Sequence, residues 1–310
     1  MTEVLTAATR GTDLAIAQTR IVISALKKVR PDIQIKIKKV ATRGDRDKRT
    51  ALWKLQTSGF FTSQVEDVLL AKEADFAVHS FKDLPTRQRE GLTIAAVCRR
   101  QFAEDCLLAA NSLSSIEELP KAAKVGTSSL RRIAQIKHLR KDLRPLSLRG
   151  NVTTRIRFLE EGKFDAIILA RAGVERLGLT GKISFPLGAE QFIPAPAQGA
   201  LVVQTRTNDA RTNDLVAEID DNQARTVTFA ERQVLITMQC GCHAPVGAFA
   251  RIDRDCIIID AFISDLEAEN FIRRKIAGPV AEAKTLAEKI ASELLDAGGR
   301  EILEKLQRDN

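Results

Sequence analysis

The chain has 310 residues, of which 44% are hydrophobic and 28% charged, and its formal net charge is +8. These proportions are close to those of globular proteins, so they argue against general disorder, a collagen-like chain or a coiled coil, and the length predicts about two or three domains. The longest apolar runs, such as residues 166–170, are far below the roughly 18 residues that span a bilayer, and none follows a basic start like that of a secretory signal. Membrane insertion and export are therefore not expected.

The first two thirds of the chain alternate between short apolar runs and helical patterns. Residues 4–8 predict a strand, residues 10–13 a polar turn and residues 14–22 a helix, while residues 33–40 alternate Ile and Lys like a half-exposed strand. The same succession of strand, turn and helix recurs at residues 124–129, 146–151 and 165–177. Asn151 begins a formal glycosylation sequon, but without export we interpret it as a helix start. Strands that alternate with helices indicate α/β layering.

A different pattern begins near Val246. Three apolar segments follow one another without an intervening helix, at residues 246–252, 256–263 and 271–277, which is the spacing of an antiparallel meander. A helical pattern then runs over residues 280–295 and is expected to stop at the two glycines that follow, 298 and 299. We interpret this part as a small separate α+β domain. The proline-containing stretch at residues 193–199 is interpreted as a hinge crossover.

Five cysteines are scattered along the chain, at positions 98, 106, 240, 242 and 256. An odd number, widely spaced in a long chain without an export signal, indicates reduced thiols and no disulfide framework. Cys240, Cys242 and His243 lie close together, but the other Cys and His residues are isolated and offer no second half of a metal site. We therefore expect no metal, and the functional alternative is a nucleophilic or attachment thiol on a glycine-flanked loop.

Positive charge is concentrated in residues 121–157, where eleven Lys or Arg accompany one acid, Asp142. That excess is larger than the net charge of the whole chain, and it predicts an anionic partner. Nucleic acid is not favoured, because the chain has no Tyr and a single Trp, Trp53, with which to stack bases. Basic residues also stand where predicted strands give way to helices, at the edge where open α/β sheets bind ligands and helix N-termini attract anions. These residues are Arg10, Arg43, Lys82, Arg131, Arg132, Arg149, Arg155 and Arg171.

The segment 126–132 (Gly-Thr-Ser-Ser-Leu-Arg-Arg) combines three hydroxyls, backbone amides and two guanidiniums. Such groups within two turns of chain are suited to holding a carboxylate or a phosphate. An equally open interpretation is that Ser128 or Ser129 only caps a helix whose arginines are solvated. The basic residues at 137–144 fit a solvated surface face.

An apolar strand predicted at residues 76–81 leads into Lys82 and Asp83. An aspartate in a basic cleft is suited to protonating a leaving amine or stabilising a developing cation. The pattern alone favours a simpler interpretation, in which Asp83 pairs with Lys82 or caps a turn. His79 lies inside the strand and is expected to be a buried histidine with satisfied hydrogen bonds rather than a catalytic base.

Several of these segments, taken in chain order, carry a resemblance to one family. They are residues 8–10 (Ala-Thr-Arg), 42–45 (Thr-Arg-Gly-Asp), 78–83, 125–132, 148–152 (Leu-Arg-Gly-Asn-Val), 165–170, 196–200 (Pro-Ala-Gln-Gly-Ala) and 241–242 (Gly-Cys). In this order the chain resembles the porphobilinogen deaminases, or hydroxymethylbilane synthases, of tetrapyrrole biosynthesis. Ordered similarity along nearly the whole chain is far more specific than any single motif.

The resemblance implies three domains. The first two, residues 1–98 with 195–215 and residues 99–194, would be α/β lobes like those of periplasmic binding proteins, the second with the basic cleft. The third, residues 216–310, would be an α+β domain that carries a dipyrromethane cofactor on a thioether. The resemblance also implies a cytoplasmic monomer whose partner is the small molecule porphobilinogen, with neither nucleic acid nor a membrane as a partner.

The activity that the resemblance implies is that of a transferase, which joins four porphobilinogen molecules head to tail, releases ammonia each time and frees the linear hydroxymethylbilane by hydrolysis. By motif match, Cys242 attaches the cofactor. Asp83 is the catalytic acid, which protonates the departing amine, stabilises an azafulvene-like cation and assists loss of the proton after the next bond forms. Each pyrrole brings an acetate and a propionate, and the resemblance implies that the basic residues bind these carboxylates.

The remaining site residues are implied by the same match. Cofactor contacts are implied for Lys82, Thr127, Ser128, Ser129, Arg131, Arg132 and Arg155. Substrate contacts are implied for Arg10, Phe61, Arg149 and Arg155.

The chain departs from the family pattern in a few places. Residues 56–59 (Gln-Thr-Ser-Gly) replace the usual Gly-Gly-Lys-Gly of a lid, which puts lid mobility and its substrate contact in question. Cys240 replaces a usual Gly and Ala244 a usual β-branched residue beside the attachment site, and Ala197 replaces a common Gly near the hinge. We expect cofactor loading to be retained, with Cys240 able to form an unwanted bond.

Two other classes of function remain open on the sequence. A non-catalytic α/β protein that binds a small carboxylate would use the same arginines, but it would need neither Asp83 nor Cys242. A nucleic-acid binder would use residues 121–157, and its affinity would fall with salt far more steeply than that for a small substrate.

Overall fold

The computed structural model describes residues 4–42, 62–111, 113–241 and 244–308. The described chain divides into two compact units. The first unit contains the described residues up to Gln101 together with Gly199–Arg225, and the second contains Phe102–Gln198 and the described residues from Thr226 onward.

The first unit is built on a five-stranded mixed sheet. Its strands are β1 (Val4–Arg10), β2 (Gln34–Val40), β3 (Phe76–Ser80), β4 (Leu92–Val97) and β10 (Leu201–Arg206), in the spatial order β2-β1-β3-β10-β4. β1 is parallel to β2 and β3, whereas β10 is antiparallel to β3 and β4. Its helices are α1 (Asp13–Val29), α2 (Ser63–Leu70) and α6 (Ala210–Ala217). Because parallel strands need a crossover, α1 joins β1 to β2 across the sheet.

Local sequence explains why α1 forms where it does. Thr12 caps its N-terminus, since the Thr12 Oγ1 accepts a hydrogen bond from the backbone amide of Ala15 at 3.3 Å. Val22 and Leu26, one turn apart, are fully buried in a core shared with β1 and β3. The helix therefore covers one face of the sheet and stabilises the strand ends that carry the site.

The second unit contains a five-stranded sheet of the same kind. Its strands are β5 (Asp105–Ala109), β6 (Lys124–Gly126), β7 (Arg144–Leu146), β8 (Ala166–Ala170) and β9 (Phe185–Leu187), in the order β7-β6-β8-β5-β9. β6 is parallel to β7 and β8, and β5 is antiparallel to β8 and β9. Helices α3 (Leu130–Leu139), α4 (Val152–Glu160) and α5 (Arg171–Arg176) follow β6, β7 and β8 in turn. In each sheet, four strands therefore run in one direction and one strand, β10 or β5, runs in the opposite direction.

The C-terminal part of the second unit is an antiparallel meander covered by helices. Its elements are α7 (Asn222–Thr237), whose residues up to Arg225 are counted with the first unit, β11 (Val246–Asp253), β12 (Cys256–Ser264), β13 (Phe271–Pro279), α8 (Ala283–Leu294) and α9 (Arg300–Arg308). Val234 of α7, Ile259 of β12 and Ile290 of α8 are fully buried in one core. Phe262 of β12 packs instead against Ile193 of the preceding α/β lobe, so the small domain rests on that lobe through an apolar contact.

The fold class predicted from the sequence is confirmed, with two α/β lobes and a small α+β domain that has a three-stranded antiparallel sheet. Asn151 begins α4 as predicted, and its Oδ1 accepts a hydrogen bond from the amide of Thr154 at 2.9 Å. The domain boundaries at residues 98, 194 and 215 stay a prediction. In the ranges that the structure covers, no helix combines the length and apolarity needed to cross a membrane.

One local prediction was wrong, and one helix was not predicted. The strand placed at residues 146–149 occupies Arg144–Leu146 instead, and the residues after it form the loop into α4. The C-terminal helical segment ends at Gly298, as the sequence predicts, and α9, which the sequence does not predict, follows the glycines. Gly298 has a φ of +115°, which only a glycine adopts readily, so it bends the chain between two helices rather than ending the fold.

Candidate active site

Three predicted site residues, Arg10, Lys82 and Asp83, lie at one edge of the first unit's sheet. Arg10 is the last residue of β1, and β3 passes directly into a short 3-10 turn, Phe81–Asp83. β1 and β3 are adjacent and parallel, so their carboxyl ends reach the same edge. This edge is where open α/β sheets bind their ligands.

The turn that carries Asp83 is anchored by its buried first residue. Phe81 is fully buried, and its backbone amide donates to the carbonyl of Ala200 at 3.1 Å. Asp83 itself is exposed, and across the described residues its carboxylate has neither an ion pair nor a hydrogen bond. The simpler interpretation, a Lys82–Asp83 ion pair or a turn cap, is therefore not found in this part of the chain. The anchored turn thus presents a carboxylate that none of the described residues binds.

His79 is buried one residue before the end of β3. Burial lowers the pKa of its imidazole to about 4, an effect that Gln204 partly opposes and Arg10 increases. The Nε2 atom has no hydrogen-bond partner among the residues described. His79 is therefore buried and neutral at pH 7, as the sequence predicts, although its hydrogen bonds are not fully satisfied.

The hydroxyls before α3 order a loop and leave the helix end uncapped. Ser129 is the N-cap residue, but its side chain makes no capping hydrogen bond. The Ser128 Oγ donates to the carbonyl of Leu148 at 2.9 Å and accepts from the amide of the same residue at 3.0 Å. Thr127 is buried, and its Oγ1 accepts from the amide of Ser129 at 3.2 Å. The capping interpretation is therefore wrong, and Ser128 instead joins the loops after β6 and β7.

Arg131 and Arg132 are buried, with 4% and 6% of their surface exposed, and both bind the carboxylate of Asp105. The Arg131 Nη2 donates to Oδ2 and the Arg132 Nη2 donates to Oδ1, each at 2.7 Å. The Nε of each arginine has no partner within the described chain. Burial lowers the pKa of Arg131, and Asp105 opposes this shift. The cluster therefore holds two guanidiniums against one carboxylate away from water.

Arg149 and Arg155 follow β7, which is parallel to β6, so they reach the same sheet edge as the start of α3. Both side chains are half-buried. The Arg155 Nε donates to the carbonyl of Gly150 at 2.7 Å, which fixes its stem against the loop. The second unit thus groups four of the predicted arginines at one edge.

Several predictions concern residues outside the described ranges, namely Arg43, Cys242, Phe61 and the lid segment 56–59. Their roles stay predictions. Among the residues that are described, no three metal-ligating side chains come together. Cys240 is half-buried against the core of the C-terminal domain. Cys106 is fully buried, and burial raises its pKa to about 12, so this thiol is unreactive at neutral pH.

Sequence reasoning missed Asp105 and Gln198. Gln198 is fully buried, and its Nε2 donates to the Asp105 Oδ1 at 2.9 Å. Asp105 opens the strand Asp-Cys-Leu-Leu-Ala, and an acid at the head of an apolar run is a signal that could have pointed to a buried partner. Gln198 lies in the segment 196–200 that carries part of the family resemblance, but nothing in the sequence assigned its side chain a role.

The sequence matches two profiles of one protein family. The profile described as porphobilinogen deaminase, dipyromethane cofactor binding domain, matches residues 5–214, and the profile of the porphobilinogen deaminase C-terminal domain matches residues 225–296. The chain is 37% identical over 300 residues to the porphobilinogen deaminase of Syntrophobacter fumaroxidans, with 97% of each chain covered. It is 38% identical over 305 residues to that of Deinococcus radiodurans, with 98% of this chain and 99% of the relative covered.

Among solved structures, the methionine-binding protein MetQ overlaps 70% of this chain and 89% of its own, with a TM-score of 0.45 and 9% identity. That overlap is too weak to bear on function. The two profiles cover both units, and relatives well above 30% identity extend across nearly the whole chain. On these matches the chain belongs to the porphobilinogen deaminase family.

Proposed function

We propose that this chain is a transferase that condenses four porphobilinogen molecules head to tail into hydroxymethylbilane and releases ammonia at each step. The observation that carries the proposal is the buried cluster in which Arg131 and Arg132 share one carboxylate. A buried group with surplus positive charge calls for an anionic ligand, and every pyrrole of this pathway carries two carboxylates.

The residues present fit a dipyrromethane cofactor attached to Cys242. Each arginine uses two of its five N–H groups on described partners, so donors remain for a ligand carboxylate. The Ser128 hydroxyl already donates its hydrogen to the carbonyl of Leu148. A ligand carboxylate at this loop would therefore accept hydrogen bonds from the backbone amides at the start of α3. Lys82, Thr127, Ser129 and Arg155 complete the proposed set. When bound, the group supplies the pyrrole carbon from which the chain grows.

Asp83 is proposed as the catalytic acid. In its protonated form, the exposed carboxyl group would hold the aminomethyl group of porphobilinogen and give its proton to the departing amine, so that the carbon–nitrogen bond breaks and ammonia leaves with the electron pair. The carboxylate then faces the positive charge left on the substrate carbon and stabilises it. After the new carbon–carbon bond forms, Asp83 accepts the proton lost from the attacking ring, which restores its starting state.

Substrate carboxylates are assigned to the basic residues at the two sheet edges. Arg10 ends β1 beside the Asp83 turn, and Arg149 and Arg155 follow β7. Guanidiniums bind carboxylates through paired N–H groups, which fixes orientation as well as charge. Phe61 is kept as a proposed substrate contact.

We also propose that the protein works in the cytoplasm as a monomer without nucleic-acid or membrane partners. Sedimentation at several concentrations would test the oligomeric state, and salt-dependent binding assays would test for such partners.

The experiment is incubation with porphobilinogen, followed by oxidation and a porphyrin absorbance reading. The parent is expected to form tetrapyrrole, and Asp83→Asn is expected to lose at least about 100-fold in turnover with its fold intact, because an amide cannot deliver the proton. Asp32→Asn, an exposed carboxylate of the same unit with 68% of its side chain accessible, is the matched control. Turnover of Asp83→Asn within tenfold of the parent removes Asp83 as the acid. A parent that binds porphobilinogen without product favours the non-catalytic alternative.

A further inference from the structure

Asp105 is the centre of a buried polar cluster in the second unit. It opens β5, and its side chain is completely inaccessible to solvent. Its two oxygens are divided between the arginines, with Oδ2 bound to Arg131 and Oδ1 bound to Arg132, and Gln198 donates a further hydrogen bond to Oδ1 at 2.9 Å. The carboxylate therefore fixes where each guanidinium lies.

A second contact completes the hold on each arginine. The Arg131 Nη1 donates to the carbonyl of Ile193 at 2.7 Å, and the Arg132 Nη1 donates to the carbonyl of Ile168 at 2.9 Å. A planar guanidinium held at both terminal nitrogens cannot rotate without losing a bond. These contacts do not use the Nε–H group or the second hydrogen on each Nη. The Nε atoms of both arginines have no partner among the described residues. Each arginine is thus held in one orientation and keeps N–H donors that can bind a ligand.

Charge explains why a carboxylate is needed between the two arginines. Two guanidiniums side by side in a buried site repel each other, and each has lost its hydration. One carboxylate cancels one of the two charges and leaves the other for an anionic ligand. Two carboxylates at this place would satisfy the arginines and remove their affinity for a further anion.

We propose that Asp105 is the positioning residue for Arg131 and Arg132, which it orients so that their remaining N–H groups bind the carboxylates of the dipyrromethane cofactor and the growing chain. This proposal rests on the proposed function. Asp105 does not itself touch substrate. Gln198, which also donates to the carbonyl of Ala103 at 2.9 Å, holds the Asp105 carboxylate in turn.

The test compares Asp105→Asn and Asp105→Glu with a control that breaks the ion pair of another buried carboxylate. Asp260→Asn is that control, because Asp260 is 4% accessible and binds the guanidinium of Arg273 with both oxygens. Each protein is produced in a host that makes porphobilinogen. Intact mass gives the fraction that carries two added pyrrole units, thermal unfolding gives the midpoint, and kinetics give KM and kcat per loaded molecule.

Asp105→Asn is expected to carry the two-pyrrole adduct in a fraction at least tenfold below that of Asp260→Asn, and its loaded molecules are expected to show a KM raised at least tenfold. Asp105→Glu keeps the charge and is expected to recover part of the loading. Equal loading and KM within twofold in Asp105→Asn and Asp260→Asn would overturn the proposal and leave Asp105 a structural residue only.

A further variant decides the matter if Asp105→Asn does not fold. Gln198→Leu keeps both ion pairs but removes the amide that holds Oδ1, and it is expected to raise KM at least threefold with the adduct still present. A KM equal to that of the parent would contradict the positioning role. Failure of the proposed function looks different, because the parent itself would then lack both the adduct and tetrapyrrole formation.

Discussion

The buried carboxylate of Glu231 accepts a hydrogen bond from the backbone amide of Ala197 at 2.6 Å. Its other oxygen accepts from the amide of Ala250 in β11 at 2.8 Å. Ala197 adopts a φ of +61° and is fully buried, a conformation that costs a residue with a Cβ more than a glycine. Glu231 therefore connects the crossover after the prolines to the sheet of the C-terminal domain through two hydrogen bonds.

Glu231→Gln is expected to lower the free energy of unfolding by about 1–3 kcal/mol, because the new amide group would point a donor at a backbone donor in a buried site. Urea unfolding monitored by circular dichroism measures the change. Glu218→Gln, at an exposed carboxylate, is the control and should change stability by less than about 0.5 kcal/mol. An equal change in the free energy of unfolding for the two substitutions would contradict the role of Glu231 in connecting the crossover to the sheet.

The buried His79 predicts a loss of stability in mild acid. Its pKa is lowered from 6.5 to about 4, so between these values the unfolded chain binds a proton that the folded chain does not. The stability that neutral His79 contributes is complete above pH 6.5 and is lost as the pH falls toward 4. We expect a decrease of about 2 kcal/mol between pH 7 and pH 5 from this group. Urea titrations at both pH values should show a shallower decrease in His79→Gln, and an unchanged slope would contradict the assignment.

Arg131→Ala is expected to abolish most cofactor loading, because it removes the donors of one guanidinium and leaves Asp105 with one ion pair. Intact mass measures the loss of the two-pyrrole adduct. Arg157→Ala is the matched control, since its side chain is 63% exposed and its ion pair among the described residues is with Glu161, the residue after the end of α4. Similar loading in the two variants would mean that the overall positive charge of residues 121–157, rather than Arg131 itself, supports cofactor loading.

Arg140 is unsuitable as a control in that experiment, although its sequence context fits a solvated surface. It binds both oxygens of Asp142 at 2.7 Å, and its Nη1 donates to the carbonyl of Glu117 at 3.0 Å. The side chain joins the end of α3 to the turn before β6. Arg140→Ala is thus expected to lower the unfolding temperature without changing loading.

The attachment thiol can be identified by mass. Cys240 and Cys242 are two residues apart, and the motif match assigns the cofactor to Cys242. Protein from a host that makes porphobilinogen should carry two added pyrrole units in the parent and in Cys240→Gly, and none in Cys242→Ala. An adduct that survives in Cys242→Ala would transfer the role to Cys240, which is half-buried against the domain core.

The sequence alone determined the α/β class, the C-terminal meander and the order of the motifs, because strand and helix periodicity and turn residues are local properties. The sequence also placed Arg10, Asp83 and the arginine-rich loops at strand ends. It did not indicate that α9 follows the glycine turn, because Gly298 both ends and bends helices.

Only the tertiary structure decided which groups meet. Asp105 is 26 and 27 residues from its two arginine partners, and Gln198 is 93 residues from Asp105. No local pattern encodes such contacts, because they depend on β5 pairing antiparallel to β8 and on the crossover passing beside the start of α3. Composition shows that carboxylates and guanidiniums are present, but burial determines which of them pair away from water. Arg131 and Arg132, which the sequence predicts as ligand-binding residues, already bind the carboxylate of Asp105 in the same chain.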